Sequence, residues 1–415
     1  MPPLHATVDR GPPRARALLV LLGAALGTVA LPACSSSDAD DDAIKIGVFL
    51  SYTGYLSANS INSERALLMA FDAANAAGGV GGRPLRLVAR DTGSDPGKAM
   101  VRSRELIDSG VALIIGPDTS DLAIAARAAL FDRTVILPSL ATSSDILYKS
   151  PSWFVIGASI VRVACELVSQ LRADGRQNPL LIVNPSGYNS GLAWTLSNSY
   201  GLPKFVLGTN EVPTATTVAP ITASQADAFV LAAFPPSATS LVYALLATGA
   251  FDDPTRWYLS PTLHSPVFLQ SLPKGGLAGA RGVSQGSNAE GAAFRDRFIA
   301  EWDDLPFDDA YPFYDAGALA VLSLQHALTQ LGAIPDGRLL SDHIIAVTRP
   351  GGTPIHWNEL AQGLELLRQG VPITYLGLSG NLEFDTLGHS AGAVTNWWTI
   401  GPDGFADRAG QSDCR

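Results

Sequence analysis

The 415-residue chain is short of charge, of cysteine and of histidine. Only 16% of its residues are Asp, Glu, Lys or Arg against 47% hydrophobic, which excludes a disordered, charge-solvated chain and calls for a well-buried globular body. Its net charge is −10 and its lysines and arginines form no cluster, so the footprint of a nucleic-acid binder is missing. No Gly-x-Ser-x-Gly elbow occurs, which removes one common nucleophile arrangement. None of the six histidines is spaced for metal with another ligand. His264 alone falls in a candidate ligand loop, while His326 lies within an apolar helical run. Gly78-Gly79-Val80-Gly81-Gly82 looks like a nucleotide loop but follows a helix instead of joining a strand to one, the context a dinucleotide fingerprint needs. No cofactor, no metal and no catalysis are expected. Past the N-terminal leader, no apolar run approaches the ~20 residues that span a bilayer.

What is present begins with that leader. Arg10, Arg14 and Arg16 precede an apolar run over 17–27, the layout of a signal peptide. It ends Leu31-Pro32-Ala33-Cys34, which resembles the lipobox of bacterial lipoproteins, with Pro32 where a small residue is usual. The resemblance implies a signal peptide over 1–33, a lipidated Cys34 and a polar, acidic tether to residue 43; the other reading is an ordinary cleaved signal with a stray cysteine. Export permits a disulfide between the two remaining cysteines, Cys165 and Cys414, the alternative being a buried thiol at one and a frayed end at the other.

The stretch 44–95 organises the rest. Ile44-Lys45-Ile46-Gly47-Val48-Phe49-Leu50 has the length and β-branched content of a strand buried on both faces. Ala66, Leu67, Met69, Ala70, Phe71 and Ala74 fall on one helical stripe that stops at Gly78-Gly79. Leu85-Arg86-Leu87-Val88-Ala89 is a second strand. Strand, helix, strand at this spacing is a βαβ unit, so the sheet is parallel and ligands gather at its carboxyl ends. The alternation continues through helices at 98–109, 122–131, 161–173, 192–200, 294–302 and 314–331. Strands are read at 111–115, 134–137, 180–183, 205–207 and 228–232, which together make the class α/β.

The phrases Asn75-Ala76-Ala77-Gly78-Gly79-Val80-Gly81-Gly82-Arg83, Tyr188-Asn189-Ser190-Gly191-Leu192-Ala193, Ala310-Tyr311-Pro312-Phe313-Tyr314-Asp315-Ala316 and Tyr375-Leu376-Gly377-Leu378-Ser379-Gly380, in this order behind a lipobox, resemble the branched-chain amino-acid-binding family. Those are type I periplasmic binding proteins, the substrate receptors of ABC importers. The resemblance spans most of 44–407. It implies two doubly wound parallel-sheet lobes joined by three crossover segments: residues 44–156 with 285–375, and 157–284 with 376–415. The third crossing is expected near 374–384. It further implies a monomer of the bacterial cell envelope, on the extracytoplasmic face. The protein would touch the membrane only through its lipid and deliver a small polar ligand (amino acid, amide or small carboxylate) to an ABC permease. A sensory module with the same crevice that signals to a partner is the alternative.

Site residues follow from strand ends and from the resemblance. Ser120 and Thr142 occupy places that hold a ligand carboxylate in the family; as Ser and Thr before helices they also suit capping. An extra residue in 138–142 leaves open whether Ser139 or Leu140 makes the backbone contact. Tyr188 matches a tyrosine that closes over the ligand from the second lobe, or packs on its own lobe. Phe234 is an apolar wall or core. Thr262 stands where amino-acid binders place the acid that pairs with the ligand's ammonium, and Asn59 where some members have an aromatic. A buried ammonium without a carboxylate is costly, so a ligand with a carboxylate or amide but no amine fits equally well.

Overall fold

The computed structural model describes residues 42–143, 146, 152–208, 212–249, 253–335, 337–402, 404–408 and 414. The leader, Cys34 and most of the tether lie outside the described residues. The first five strands, β1 (Ile44–Leu50), β2 (Leu85–Asp91), β3 (Ile114–Ile115), β4 (Val135–Leu137) and β5 (Trp153–Val155), form one sheet in the order β2-β1-β3-β4-β5. All its pairings are parallel. Helices Ser57–Ala76, Pro96–Asp108 and Ser120–Leu130 connect β1 to β2, β2 to β3 and β3 to β4, and the start of the second is written locally. Asp95 accepts from the backbone N–H of Gly97 (2.7 Å) and Lys98 (3.1 Å), with Pro96 opening the Pro96–Asp108 helix. The apolar stripe on Ser57–Ala76 is buried and packs on the Ala310–Leu331 helix. The two helices approach so closely that a Cβ at Gly317 would meet Leu67 Cδ1 at 2.8 Å and Ala70 Cβ at 2.9 Å.

The chain then builds a second sheet from β6 (Pro179–Val183), β7 (Lys204–Val206), β8 (Ala228–Ala232), β9 (Trp257–Leu259) and β10 (Arg281–Gln285). It returns to the first core, makes a parallel pair from β11 (Thr353–His356) and β12 (Ile373–Leu376), and forms a hairpin from β13 (Gly380–Phe384) and β14 (Ser390–Ala393). Finally β15 (Thr395–Ile400) and β16 (Phe405–Arg408) complete the second sheet, ordered β16-β15-β10-β9-β8-β6-β7. Strands β6 to β10 pair in parallel, as expected of a doubly wound lobe, and β15 and β16 add antiparallel at the β10 edge. Leu378 and Leu382 are buried in the first core, and Ala393 and Trp397 in the second. Cys165 and Cys414 are bridged.

The connecting segments are stitched to one another. The Ala158 N–H donates to Gln285 Oε1 (2.6 Å), Gly286 to the Val394 carbonyl (2.8 Å), and Val394 to the Ser379 carbonyl (2.8 Å). Asp315, fully buried on the Ala310–Leu331 helix, holds this bundle. Its carboxylate accepts from Tyr375 Oη (2.8 Å), the N–H groups of Leu378 (2.9 Å) and Ser379 (2.8 Å), and Ser379 Oγ. Burial raises its pKa and these donors oppose that rise. Asp315→Ala strands several buried donors at once, so we expect a loss of about 3 kcal/mol or more, read as a fall in the urea midpoint. An unchanged midpoint would show that the hinge does not depend on this carboxylate.

Candidate functional site

The parallel strands of both sheets, β1 to β5 and β6 to β10, carry at their carboxyl ends the loops that line one space. From the first sheet come the loops after β3 and β4. The first turns sharply at Gly116 (φ +97), where a Cβ would meet the Phe49 carbonyl oxygen at 2.3 Å, so only glycine delivers Asp118 and Ser120 to their places. From the second sheet come the loops after β6, β8, β9 and β10. An inner cavity of about 30 Å³ lies between them, lined by Asn59, Asp118, Ser139, Leu140, Thr262, His264, Ser284, Gln285, Asp308 and Asp309 among others. An outer groove of about 370 Å³ opens beyond it, between Tyr55, Thr119 and Asp121 on one side and Ser186 and Phe234 on the other. Adjacent residues line both spaces (Tyr55 outside and Leu56 inside, Thr119 outside and Asp118 inside), so one thin wall separates them. The inner cavity holds only one or two water-sized bodies, so any larger solute requires the walls to part.

The structure distributes the sequence-derived candidates unevenly. Asn59, Ser139, Leu140 and Thr262 line the inner cavity and Phe234 lines the outer groove, its ring 5.2 Å from that of Tyr55. Ser120 and Thr142 line neither space. Ser120 Oγ donates to the Leu140 carbonyl (3.0 Å) and accepts from the Ser143 N–H (3.2 Å), so it ties two loops together. The Leu140 N–H is likewise spent, on the Asp118 carbonyl (3.0 Å). Thr142 Oγ1 is buried without a partner among the described residues. Tyr188 is in the first turn of the Gly187–Tyr200 helix, fully buried against Leu56 and Leu140 of the opposite side, its hydroxyl also unpartnered. Burial, then the charge of Asp309, pushes that hydroxyl's pKa upward. Thr262 Oγ1 donates to the Ala233 carbonyl (2.6 Å) and shares a hydrogen bond with Ser260 (2.7 Å), a local bracing role.

The acids at the crevice come from elsewhere. Asp118 is buried and accepts from Ser51 N–H (3.1 Å), Ser51 Oγ (3.2 Å) and Ser60 Oγ (2.9 Å), tying β1 to the first helix. Asp308 is hydrogen-bonded to His264 Nδ1, a contact that spans the crevice. Asp309 precedes the Ala310–Leu331 helix and accepts from Ser139 Oγ (2.8 Å) and Asn59. It is densely surrounded by protein yet keeps part of its surface open to the cavity. Sequence reasoning passed over this pair, although two acids immediately before a long apolar helix are a legible signal for a helix start facing the strand ends.

Burial, with the charges of Asp308 and Asp118 adding to it, pushes Asp309 up to about 6 from 3.8. An acid that binds its proton more tightly when folded makes the folded state less stable as pH rises from about 4 to 6, and that loss persists above. Asp309→Asn cannot titrate but can still accept from Ser139. Relative to wild type, it should gain about 1–3 kcal/mol on going from pH 4.5 to pH 7.5, with the neighbouring groups common to both proteins. Parallel melting curves across that range would contradict the assignment.

A family model described as "Periplasmic binding protein" matches residues 43–347. No curated relative matches by sequence alone. Among solved structures, the fold resembles the branched-chain amino acid transporter substrate binding protein LivJ from Streptococcus pneumoniae in complex with isoleucine, at 19% identity and TM-score 0.70 over 89% of this chain and 100% of that one. It also resembles the leucine binding protein LivK from Thermotoga maritima, at 16% identity and TM-score 0.71 over 88% and 98%. A third likeness is an ABC transporter solute binding protein from R. palustris in complex with benzoate, at 16% identity and TM-score 0.65 over 90% and 98%. At these identities the likeness establishes the fold, a two-sheet α/β architecture with a crevice at the strand ends. By fold and by family match together, the chain belongs to the periplasmic binding protein family.

Proposed function

We propose that this protein is the solute-binding component of an ABC importer, holding a small polar ligand between its two lobes and presenting the closed form to a permease. The observation that carries this reading is a set of buried polar atoms without partners around the inner cavity. Ser265 Oγ, Ser284 Oγ and Gln285 Nε2 come from the second half and Asn59 Oδ1 from the first. Buried polar atoms are ordinarily hydrogen-bonded, and a solute gripped from both sides would satisfy these. Such a solute gains contacts only when the lobes are together, so it shifts the population toward the closed form. LivJ and LivK, which share the fold, are named as substrate or leucine binding proteins, in keeping with this role. The chain is a monomer in this reading, held at the extracytoplasmic face by a lipid on Cys34.

Two measurements test it. In a thermal-shift screen of small amino acids, amides, carboxylates and amines, a true ligand at a hundredfold excess over its Kd adds about 2.7 kcal/mol of stability. That ligand should be recovered chemically unchanged; a product would point to an enzyme. Separately, Cys34→Ala in the native host should move the protein from the membrane to the soluble fraction. Retention at the membrane would remove the lipid anchor from the proposal.

A further inference from the structure

The charges around the crevice narrow the ligand. Asp118, Asp308 and Asp309 line the inner cavity and Asp121 lines the outer groove, while no Lys or Arg is among the described residues that line either space. His264, already hydrogen-bonded to Asp308, can offset one of these charges at most. Two positions that could receive a ligand anion are taken. The Gly187–Tyr200 helix points its N-terminus at the crevice, and the Gly187 N–H donates to Asp121 Oδ1, a carboxylate from the opposite side. Ser120 Oγ is spent on the Leu140 carbonyl and the Ser143 N–H. A ligand carboxylate would therefore add another negative charge to a poorly solvated space already holding several.

A second observation marks the same cavity as built to be filled. Ser265, Ser284 and Gln285 are each more than nine-tenths buried, line it, and leave Oγ, Oγ and Nε2 without partners. These neutral groups stand on the second-sheet side, and the open surface of Asp309 lies on the first. In the outer groove the rings of Tyr55 and Phe234, 5.2 Å apart, line the same space as Asp121, and an aromatic face attracts a cation.

We infer that the crevice takes an organic cation without a carboxylate, an amine or amidine, with Asp309 as its charge partner and the hydroxyl oxygens of Ser265 and Ser284 as neutral acceptors across from it. The inference rests on the solute-binding reading above and changes the expected chemistry. The acid missing at Thr262 is supplied from the opposite lobe, and the carboxylate-holding roles expected of Ser120 and Thr142 are not needed. Ligand binding joins the lobes by charge from one side and hydrogen bonds from the other.

Isothermal titration at pH 7.5 with pentylamine, putrescine and agmatine, set against pentanamide, pentanoate, benzoate and isoleucine, separates the possibilities. At least one cation should bind tenfold or more tightly than every amide, acid and amino acid, and Asp309→Asn should weaken it at least tenfold without melting lower than wild type. Tighter binding of pentanoate, benzoate, pentanamide or isoleucine would overturn the charge assignment and leave solute capture standing. Unchanged cation affinity in Asp309→Asn would overturn the role of that residue. Silence from all seven compounds would count against solute capture itself, and the cation would fall with it.

Discussion

The Ala310–Leu331 helix and the residue just before it present two carboxylates to the interior, and a carboxylate removed from water must find partners. Asp315 finds them all within the chain: a tyrosine hydroxyl, two backbone N–H groups and a serine hydroxyl from the segment 375–379. That demand pins the returning chain to the first core and, through Ser379 and Val394, to the other passages between the sheets. Asp309, six residues earlier, finds Ser139 and Asn59 and then faces open space. The satisfied carboxylate makes the hinge, and the incompletely satisfied one makes the site.

The contrast explains how rigidity and readiness coexist in one body. Each sheet carries its own apolar core, with Trp153, Phe154 and Tyr314 among the buried residues of the first and Trp257, Tyr258 and Trp398 of the second. Interiors packed in this way move as units. Among the described residues, the contacts between them are mixed and include Asp308 with His264, Gly187 with Asp121, Tyr55 with Phe234, and an apolar cluster of Leu56, Leu140 and Tyr188. Polar latches and a small apolar seam can separate at modest cost, whereas the stitched segments at the hinge keep the halves in register. Binding proteins that close around their cargo need this division.

Legibility in the sequence follows the same line. The opening βαβ unit was readable because a doubly buried strand is a continuous apolar run and a half-buried helix shows its stripe. Ile44–Leu50 and the stripe from Ala66 to Ala74 are buried as their pattern demands. The antiparallel return of β15 and β16 was not readable, because alternation carries no direction. The placement of Leu378 was not readable for a related reason. An apolar residue suits either core, and the grip of Asp315 on Leu378 and Ser379 sets it in the first.

The sequence by itself determined the class, the alternation of strands and helices, the family likeness, and the loops at strand ends where a ligand would be met. Those are properties of local periodicity and of short motifs, which survive without knowing what lies opposite. Tertiary structure alone decided which of the loop residues face the crevice. Ser120 turned its hydroxyl to Leu140 and Ser143, Thr262 turned to Ala233, and Asp309, just before the long apolar helix, was left with an open face. Hydrogen-bond partners are chosen across long sequence separations, and the polar group that remains unpaired once those choices are made is the one available to a ligand.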